Sequence, residues 1–547
     1  MTIKYTKEQL NKFDKDLLIE LFLGMQGQME ELSRQTQALN DRMQLMMEQM
    51  VLFQKNHFGR SSEKMTDPEQ IRFMEVDGTI VFFNEAEAVC DLDAPEPDDL
   101  ELKAPKKKKQ PGKKAADIAG LTVKRIDHYL KEEELTAEFG ENGWKQLPDA
   151  ISRCYQFIPA SVVIEEHHIG VYSSKLDEHM IKAPHPRNLL HGSLVSPSLA
   201  AAVINGKYVN AVPLYRLEKE FERYGLAITR QNMANWMIRL GEEYLGTMYD
   251  YLHKLLYDYH VIQADETPVL VNKDGRPAGS QSYMWVYRSG FMYRDRQIIL
   301  YEYQKTRNAS HPREFLRDYT GICVTDGYQV YHTLEKEREN LKIAGCWVHC
   351  RRRFNDALEV IPKAHRKESI LHLIMKQIQA IYREEGKLSD FSTEDRLMQR
   401  QLVVKPLVDA FFAYLKQNEP KIPKNGKIRE AFTYALNQES YLKVFLEDGD
   451  VPIDNNASER AIRGFCIGKK NWEMIDTVNG ANSSAIIYSI AETAKANNLK
   501  TFDYFEYLLT EIPKHVDDKN TDFLAELLPW SDMLPENIRK PQKASGK

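Results

Sequence analysis

Hydrophobic positions recur every seven residues near the start of the chain. Leu18, Met25, Leu32, Leu39, Met46 and Phe53 form one series, and Phe22, Met29, Thr36, Met43 and Met50 form a second, offset by four. Two interleaved heptad series of this length predict a coiled coil over residues 1–58, and with it self-association. Gly24 and Gly27 weaken its first turns, and a helix packed on the chain's own core is the alternative. The segment HFGRSSEK at 57–64 ends the heptads.

Residues 59–120 lose this periodicity. An acidic run at 85–101 (EAEAVCDLDAPEPDDLE) leads into KAPKKKKQPGKK at 103–114, and Pro, Lys and Asp dominate 94–117. That composition suits a solvated linker or, through the lysines at 106–109, an arm that contacts phosphates. Within 121–190 the pattern CYQFIPASVVIEEHHIGVY (154–172) is rich in β-branched and aromatic residues and predicts a small β unit. Residues 191–250 return to helical spacing. There LYRLEKEFERYG (214–225) is amphipathic, Gly225 supplies a turn, and Thr229 can cap a second helix that begins RQNMANW, which is the layout of a helix-turn-helix. Arg230, Gln231 and Asn235 on that second helix can hydrogen-bond base edges or phosphates, and they are candidate DNA contacts.

From 259 the period falls to two. YHVIQADETPVLV, QSYMWVYRS and RQIILYEY read as three strands, HPREFLRDY as a helix, and GICVTDGY and LKIAGCWVH as two further strands. This order predicts an RNase H-like mixed sheet in a catalytic domain whose first part is 251–354. Residues 355–450 are helical in pattern and read as an α-helical insertion. The catalytic domain resumes at 451–500, and 501–547 form a C-terminal segment. The predicted fold class is therefore multidomain and mainly α, with an α/β RNase H-like domain interrupted by helices.

Bulk composition changes this picture little. A chain of 547 residues with 42% hydrophobic content can fill several cores. The formal net charge of −6 does not mark a nucleic-acid binder, although acid and base are segregated along the chain. No apolar run reaches membrane-spanning length, MTIKYTKEQL is not a secretory signal, and the six cysteines form no framework, so a cytoplasmic location is expected.

Candidate chemistry changes it more. Asp265 lies in the first predicted strand and Asp326 at the end of the fourth, each inside an apolar run where an unpaired carboxylate is costly. First and fourth strands are neighbours in RNase H-like sheets, so the two aspartates can meet around a cation. Turn chemistry before Gly327 is the bland alternative for Asp326. Residues 451–474 read VPIDNNASERAIRGFCIGKKNWEM. In isolation they suggest a helix capped by Asn456, with Glu459 closing a capping box and pairing with Arg463. Beside the two aspartates, Glu459 becomes a third carboxylate for two Mg²⁺ ions, with Mn²⁺ as a substitute. Asn456, Arg460 and Arg463, with Lys469 and Lys470, would then face a DNA backbone. Glu266, on the opposite face of its strand, and Asp454 are second choices. His167 and His168 lack companion cysteines, and Cys346, His349 and Cys350 form no complete zinc set, so structural roles are preferred for them.

Several strings together resemble the transposases of the insertion-sequence sixty-six family, often called transposase C. They are HFGRSSEK, LYRLEKEFERYG with TRQNMANW, QADETPV, TDGY, GCWVHCRRRF, DNNASERAIRGFCIGKKNW, SIAETAKANNL and ELLPW, in this order over most of the chain. The resemblance implies a DDE transposase with Asp265, Asp326 and Glu459 as its catalytic triad. It also implies cleavage at the terminal inverted repeats of an element and joining to target DNA. DNA, a second copy of the chain and companion proteins of the same element are the implied partners, with no membrane involved. The chain departs from the family where a cysteine-paired zinc module is usual: ELTAEFGENGW holds no cysteine, and Ser173 and Ser174 stand at later cysteine positions. The β unit is thus a degenerate zinc-finger-like remnant, and zinc is not expected. The rival readings are an RNase H-like nuclease without strand transfer and a non-catalytic, transposase-derived DNA-binding protein.

Overall fold

The computed structural model describes residues 74–76, 79–81, 124–125, 128–141, 160–173, 180–184, 187–277, 279–518 and 520–541. The expected coiled coil and the lysines at 106–109 lie outside these residues. The chain divides into two units, one of Val51–Pro159 with Pro541–Lys547 and one of Met1–Met50 with Ala160–Lys540. In the first, Met74–Val76 pairs antiparallel with Thr79–Val81, and a helix spans Glu132–Phe139. At its start the Lys131 N–H donates to the Glu134 carboxylate at 2.8 Å.

In the second unit, the expected β unit is represented by Val171–Ser173, paired antiparallel with Met180–Lys182. Residues 160–170 join no strand, and Val163 and Ile164 are exposed. β-Branched residues favour a half-buried pleated surface, and among the described residues none is offered to that stretch.

Four helices follow: α1 (Pro197–Ile204), α2 (Leu214–Arg223), α3 (Arg230–Leu240) and α4 (Gly246–Leu256). Gly225 has φ +81°, the left-handed conformation that glycine adopts without strain, and turns the chain between α2 and α3. Thr229 caps α3 by accepting the Asn232 N–H at 3.2 Å. Leu217 and Phe221 of α2 and Met233, Met237 and Leu240 of α3 are buried, so both helices turn an apolar stripe inward.

The central sheet is mixed. Its strands are β1 (Val261–Lys273), β2 (Gln281–Ser289), β3 (Ile299–Gln304), β4 (Gly321–Thr325), β5 (Leu341–Gly345) and the short β6 (Ile475–Thr477). The order is β3-β2-β1-β4-β5, and β6 joins the far end of β1. β1, β2 and β3 are antiparallel neighbours, whereas β4 lies parallel to both β1 and β5. Parallel neighbours need crossovers. One is α5 (Ser310–Phe315), before β4; the other is α6 (Gln329–Glu337), between β4 and β5.

A long helical segment comes next, with α7 (Trp347–Val360), α8 (Ile370–Gly386), α9 (Thr393–Gln399), α10 (Lys405–Asn418), α11 (Lys427–Asn437) and α12 (Glu439–Lys443). The unit ends with α13 (Asn456–Trp472), α14 (Val478–Ala496) and α15 (Thr501–Glu511). Strand alternation assigns each face of the sheet to its own core. Ile262, Ala264, Cys323 and Ile343 join a core with α1 to α4, α14 and α15. Their neighbours Val261, Ile322, Val324 and Ala344 join a second core with the helical segment. β3 is an edge strand, and α14 covers it with hydroxyls: Ser489 accepts the Tyr301 N–H at 2.7 Å, and Thr493 accepts the Ile299 N–H at 2.9 Å.

Candidate active site

Register brings the two aspartates together. In the parallel pair of β1 and β4, Val261 stands opposite Ile322 and Gln263 opposite Val324. Two residues further along each chain come Asp265 and Asp326, on the face of Val261 and Val324 by the same alternation. Burial pushes the Asp265 carboxyl up to about 8, and the nearby charges of Glu266, Asp326 and Glu459 add to the shift. Asp326 occupies the turn after β4, where its Oδ1 accepts the Tyr328 N–H at 2.9 Å.

Glu459 lies one turn into α13. Its Oε1 is 3.9 Å from His349 Nδ1 and its Oε2 is 3.6 Å from Arg352. Both Glu459 Oε1 and His349 Nδ1 are buried and lack a hydrogen-bond partner among the described residues. Burial lowers the pKa of His349, which favours the neutral ring. The capping arrangement expected of this helix is not the one that forms. Its N-cap is Asn455 rather than Asn456, and Glu459 faces α7 instead of folding back to the cap or pairing with Arg463.

Asn455 is fully buried because it does something other than cap. Its Nδ2 donates to the Ala264 carbonyl at 2.7 Å, its Oδ1 accepts from Gln263 at 3.1 Å, and its N–H meets Cys346 Sγ at 3.2 Å. The start of α13 is thereby fixed to β1 beside Asp265. Buried Arg288 on β2 adds a bond to the Ala457 carbonyl at 3.2 Å, and its burial brings its pKa down to about 10. Lys469 donates to the Pro268 carbonyl at 2.8 Å. β1 pairs with β4 at 261–263 and with β6 at 271–273, and between these stretches α13 lies along it. Asn455 and Lys469 supply two of the donors that strand carbonyls there would otherwise lack.

Glu266 faces the other side of the sheet. Arg307 donates to its Oε1 through Nε at 2.7 Å and also through Nη2, and Tyr331 donates to its Oε2 at 3.3 Å. Burial and the charge of Asp326 push Glu266 up to about 7, against the pull of Arg307. Arg307 also lies 4.0 Å from Asp326 Oδ2 and stacks 3.7 Å from the Tyr328 ring centroid, so it ties the two carboxylates to one turn.

The other residues singled out in the sequence are dispersed. Asp454 engages Asn456, whose Nδ2 donates to it at 2.9 Å. Arg460 is half-buried with its guanidinium 5.7 Å from the Phe291 ring, while Arg463 and Lys470 are exposed. Arg230, Gln231 and Asn235 are exposed on α3. Sequence reading missed Asn455, Arg288, Arg307 and Arg352. Only Arg352 carried a local signal, in the arginine run that follows His349 on one helix.

Asp265, Asp326 and Glu459 offer hard carboxylate oxygens, with Asp265 desolvated and repelled by the other two, a donor type that suits Mg²⁺ or Mn²⁺, although their oxygens do not all lie within 4.8 Å of one another. A different trio, Cys346, His349 and Glu459, brings ligand-type atoms within 4.8 Å of one another. Three ligands are one short of a closed four-ligand zinc site, and burial pushes the Cys346 thiol up to about 12. Cys350 is buried in the core beneath the helical segment.

Comparison with known families places the chain among transposases. Residues 192–483 match the family described as Transposase IS66 family, and residues 489–530 match the IS66 C-terminal element. Residues 45–126 match a module described as Transposase C of IS166 homeodomain. The chain belongs to the IS66 transposase family. Its relatives include two uncharacterized proteins of Sinorhizobium fredii (strain NBRC 101917 / NGR234). One, y4qI, is 28% identical over 66% of this chain and 67% of its own length. The other, y4jD, is 24% identical over 76% of this chain and 82% of its own.

Proposed function

We propose that this protein is a DDE transposase with an RNase H-like catalytic domain, which cuts DNA at the ends of an insertion element and joins the freed 3′-hydroxyl to target DNA. The observation that carries the reading is the β1–β4 register, which sets Asp265 beside Asp326 while α13 brings Glu459 into the field of Asp265. The strand order β3-β2-β1-β4-β5 with its parallel and antiparallel pairs supports it.

Asp265, Asp326 and Glu459 would hold two divalent ions, Mg²⁺ or Mn²⁺. When bound, the ions supply charge stabilisation for an in-line displacement at phosphorus. The chain's own residues prepare the site. Arg352 pairs with the Glu459 carboxylate from α7 with His349 beside it, Asn455 and Arg288 fix the start of α13, and Arg307 steadies the turn that carries Asp326. Arg460, Arg463, Lys469 and Lys470 lie on the same helix as Glu459 and contribute positive charge toward a DNA backbone. The pair α2–α3 acts as a helix-turn-helix for element ends, with Arg230, Gln231 and Asn235 toward the groove. The heptads of residues 1–58 join two copies, and the companion proteins of the element are further partners.

The test is a duplex carrying the element's terminal inverted repeat, incubated with the protein, Mg²⁺ and a target plasmid. Cleaved and joined products are expected, and Asp265→Asn, Asp326→Asn and Glu459→Gln each abolish both. Cleavage without joining would identify a nuclease instead, and end binding without cleavage a DNA-binding protein.

A further inference from the structure

We propose that an open groove on the helical segment, between α7 and α11, is a subsite for the sugar-phosphate backbone of the DNA strand that leads away from the carboxylate cluster. The proposal rests on the transposase reading. It adds a surface that neither the carboxylates nor α3 provides.

The groove has a volume of about 470 Å³, and Arg353, Lys424, Asn425, Thr433 and Asn437 are among its lining residues. Its chemistry is that of an anion site. Glu430 is the one carboxylate among the lining residues, and it is bonded to Lys427 at 2.8 Å. Arg429 is spent on its own loop, donating to the carbonyls of Pro423 at 2.9 Å, Glu419 at 3.2 Å and Ile422 at 2.6 Å. Those bonds shape the turn that holds Lys424 and Asn425 at the rim. Arg353 and Lys424 are exposed and have no carboxylate partner among the described residues. Two unneutralised cations, set among neutral amide and hydroxyl groups, suit backbone phosphates and make no demand on base identity.

The groove's position links it to the candidate site. Tyr434 lines it and carries the Arg353 guanidinium 4.3 Å from its ring centroid. The same ring packs on Gly327, the residue after Asp326, so closely that a Cβ there would lie 2.7 Å from it. Arg353, Tyr434, Gly327 and Asp326 thus form a continuous path from groove to carboxylate. A strand whose phosphate sits at Asp326 has this path as a cationic exit over the helical segment.

The experiment measures binding of the full-length protein to a terminal-repeat duplex with a single-stranded overhang, as a function of salt and without divalent cation. Each phosphate contact removed lowers the slope of log affinity against log salt by about 1. Arg353→Ala with Lys424→Ala should therefore lower it by about 2. Arg353→Lys with Lys424→Arg should keep the wild-type slope, as should Lys363→Ala with Lys367→Ala, which removes two exposed lysines elsewhere on the segment. An unchanged slope in the groove variant, with DNA still bound, overturns the subsite and leaves the transposase reading standing. An equal drop in the Lys363/Lys367 variant overturns it too, because the effect would then be one of total charge. If the wild-type protein binds no DNA, the transposase reading itself fails. Circular dichroism and thermal melting of each variant check that the fold is kept.

Discussion

The side-chain amide of Asn455 donates to the main-chain carbonyl of Ala264 at 2.7 Å, across a long separation in sequence. One bond thus joins the residue before Asp265 to the N-cap of the helix that bears Glu459. The position of the third carboxylate relative to the first depends on this buried contact as well as on the packing of α13.

Asn455→Ala should accordingly cost stability and disturb the site. It leaves the Ala264 carbonyl and the Gln263 amide short of partners in the interior, at a cost of about 2–3 kcal/mol. A denaturant titration reads that loss. Cleavage by the folded variant should fall further than stability predicts, and full cleavage at wild-type rate would show that α13 holds its place without Asn455.

The raised pKa of Asp265 makes stability depend on pH. Its ordinary value is 3.8 and its folded value about 8, so over that interval the folded chain retains a proton that the unfolded chain has released. Its contribution is full at the acid end and declines as pH rises toward about 8. Without divalent cation, the melting temperature should fall over this range, and Asp265→Asn should flatten the fall. Added Mg²⁺ should restore stability chiefly at the alkaline end. Equal slopes for wild type and variant would remove Asp265 as the source.

Arg307→Met leaves Glu266 buried without its cation. Breaking such a pair costs roughly 3 kcal/mol, near the lower end of the range for buried pairs because Arg307 is partly exposed. Arg307→Met combined with Glu266→Gln should recover much of that loss. Thermal melting of the single and double variants decides the matter, and a double variant no more stable than Arg307→Met would refute the pairing as the cause.

A chain lacking residues 1–58 should have the mass of a monomer in light scattering, whereas the full chain should be larger. The expectation rests on the heptads from Leu18 to Phe53. Equal subunit number in the two chains would refute it.

The strands around Asp265 and Asp326 were legible because alternation is local: each apolar run carries its own period. Their positions on neighbouring strands followed from the strand order. The partners of Glu459 were another matter. Capping rules pointed to Asn456 and Arg463, whereas the folded chain turns Glu459 toward His349 and Arg352 and buries Asn455 as the anchor. Those contacts join residues that only the tertiary register brings together, and no window of sequence contains both partners. Arg307 was hidden for the same reason, since it stands in the loop after β3 and its role depends on Glu266 of β1. In 160–170, β propensity read from composition had no paired strand to act on among the described residues.

Among the described residues, the face of the sheet that carries Val261, Ile322, Val324 and Ala344 is covered by the helical segment from α7 to α12 and the stretch that follows it, with Phe445, Leu446, Val451 and Ile453. A sequence that interrupts a domain can often be removed and the ends rejoined. Here excision would bare a hydrophobic strand surface and invite aggregation, so the interruption has become a wall of the domain it divides. A protease cut in the exposed turn Lys363–Glu368, which buries no side chain, should by the same token leave both fragments bound together as one native particle.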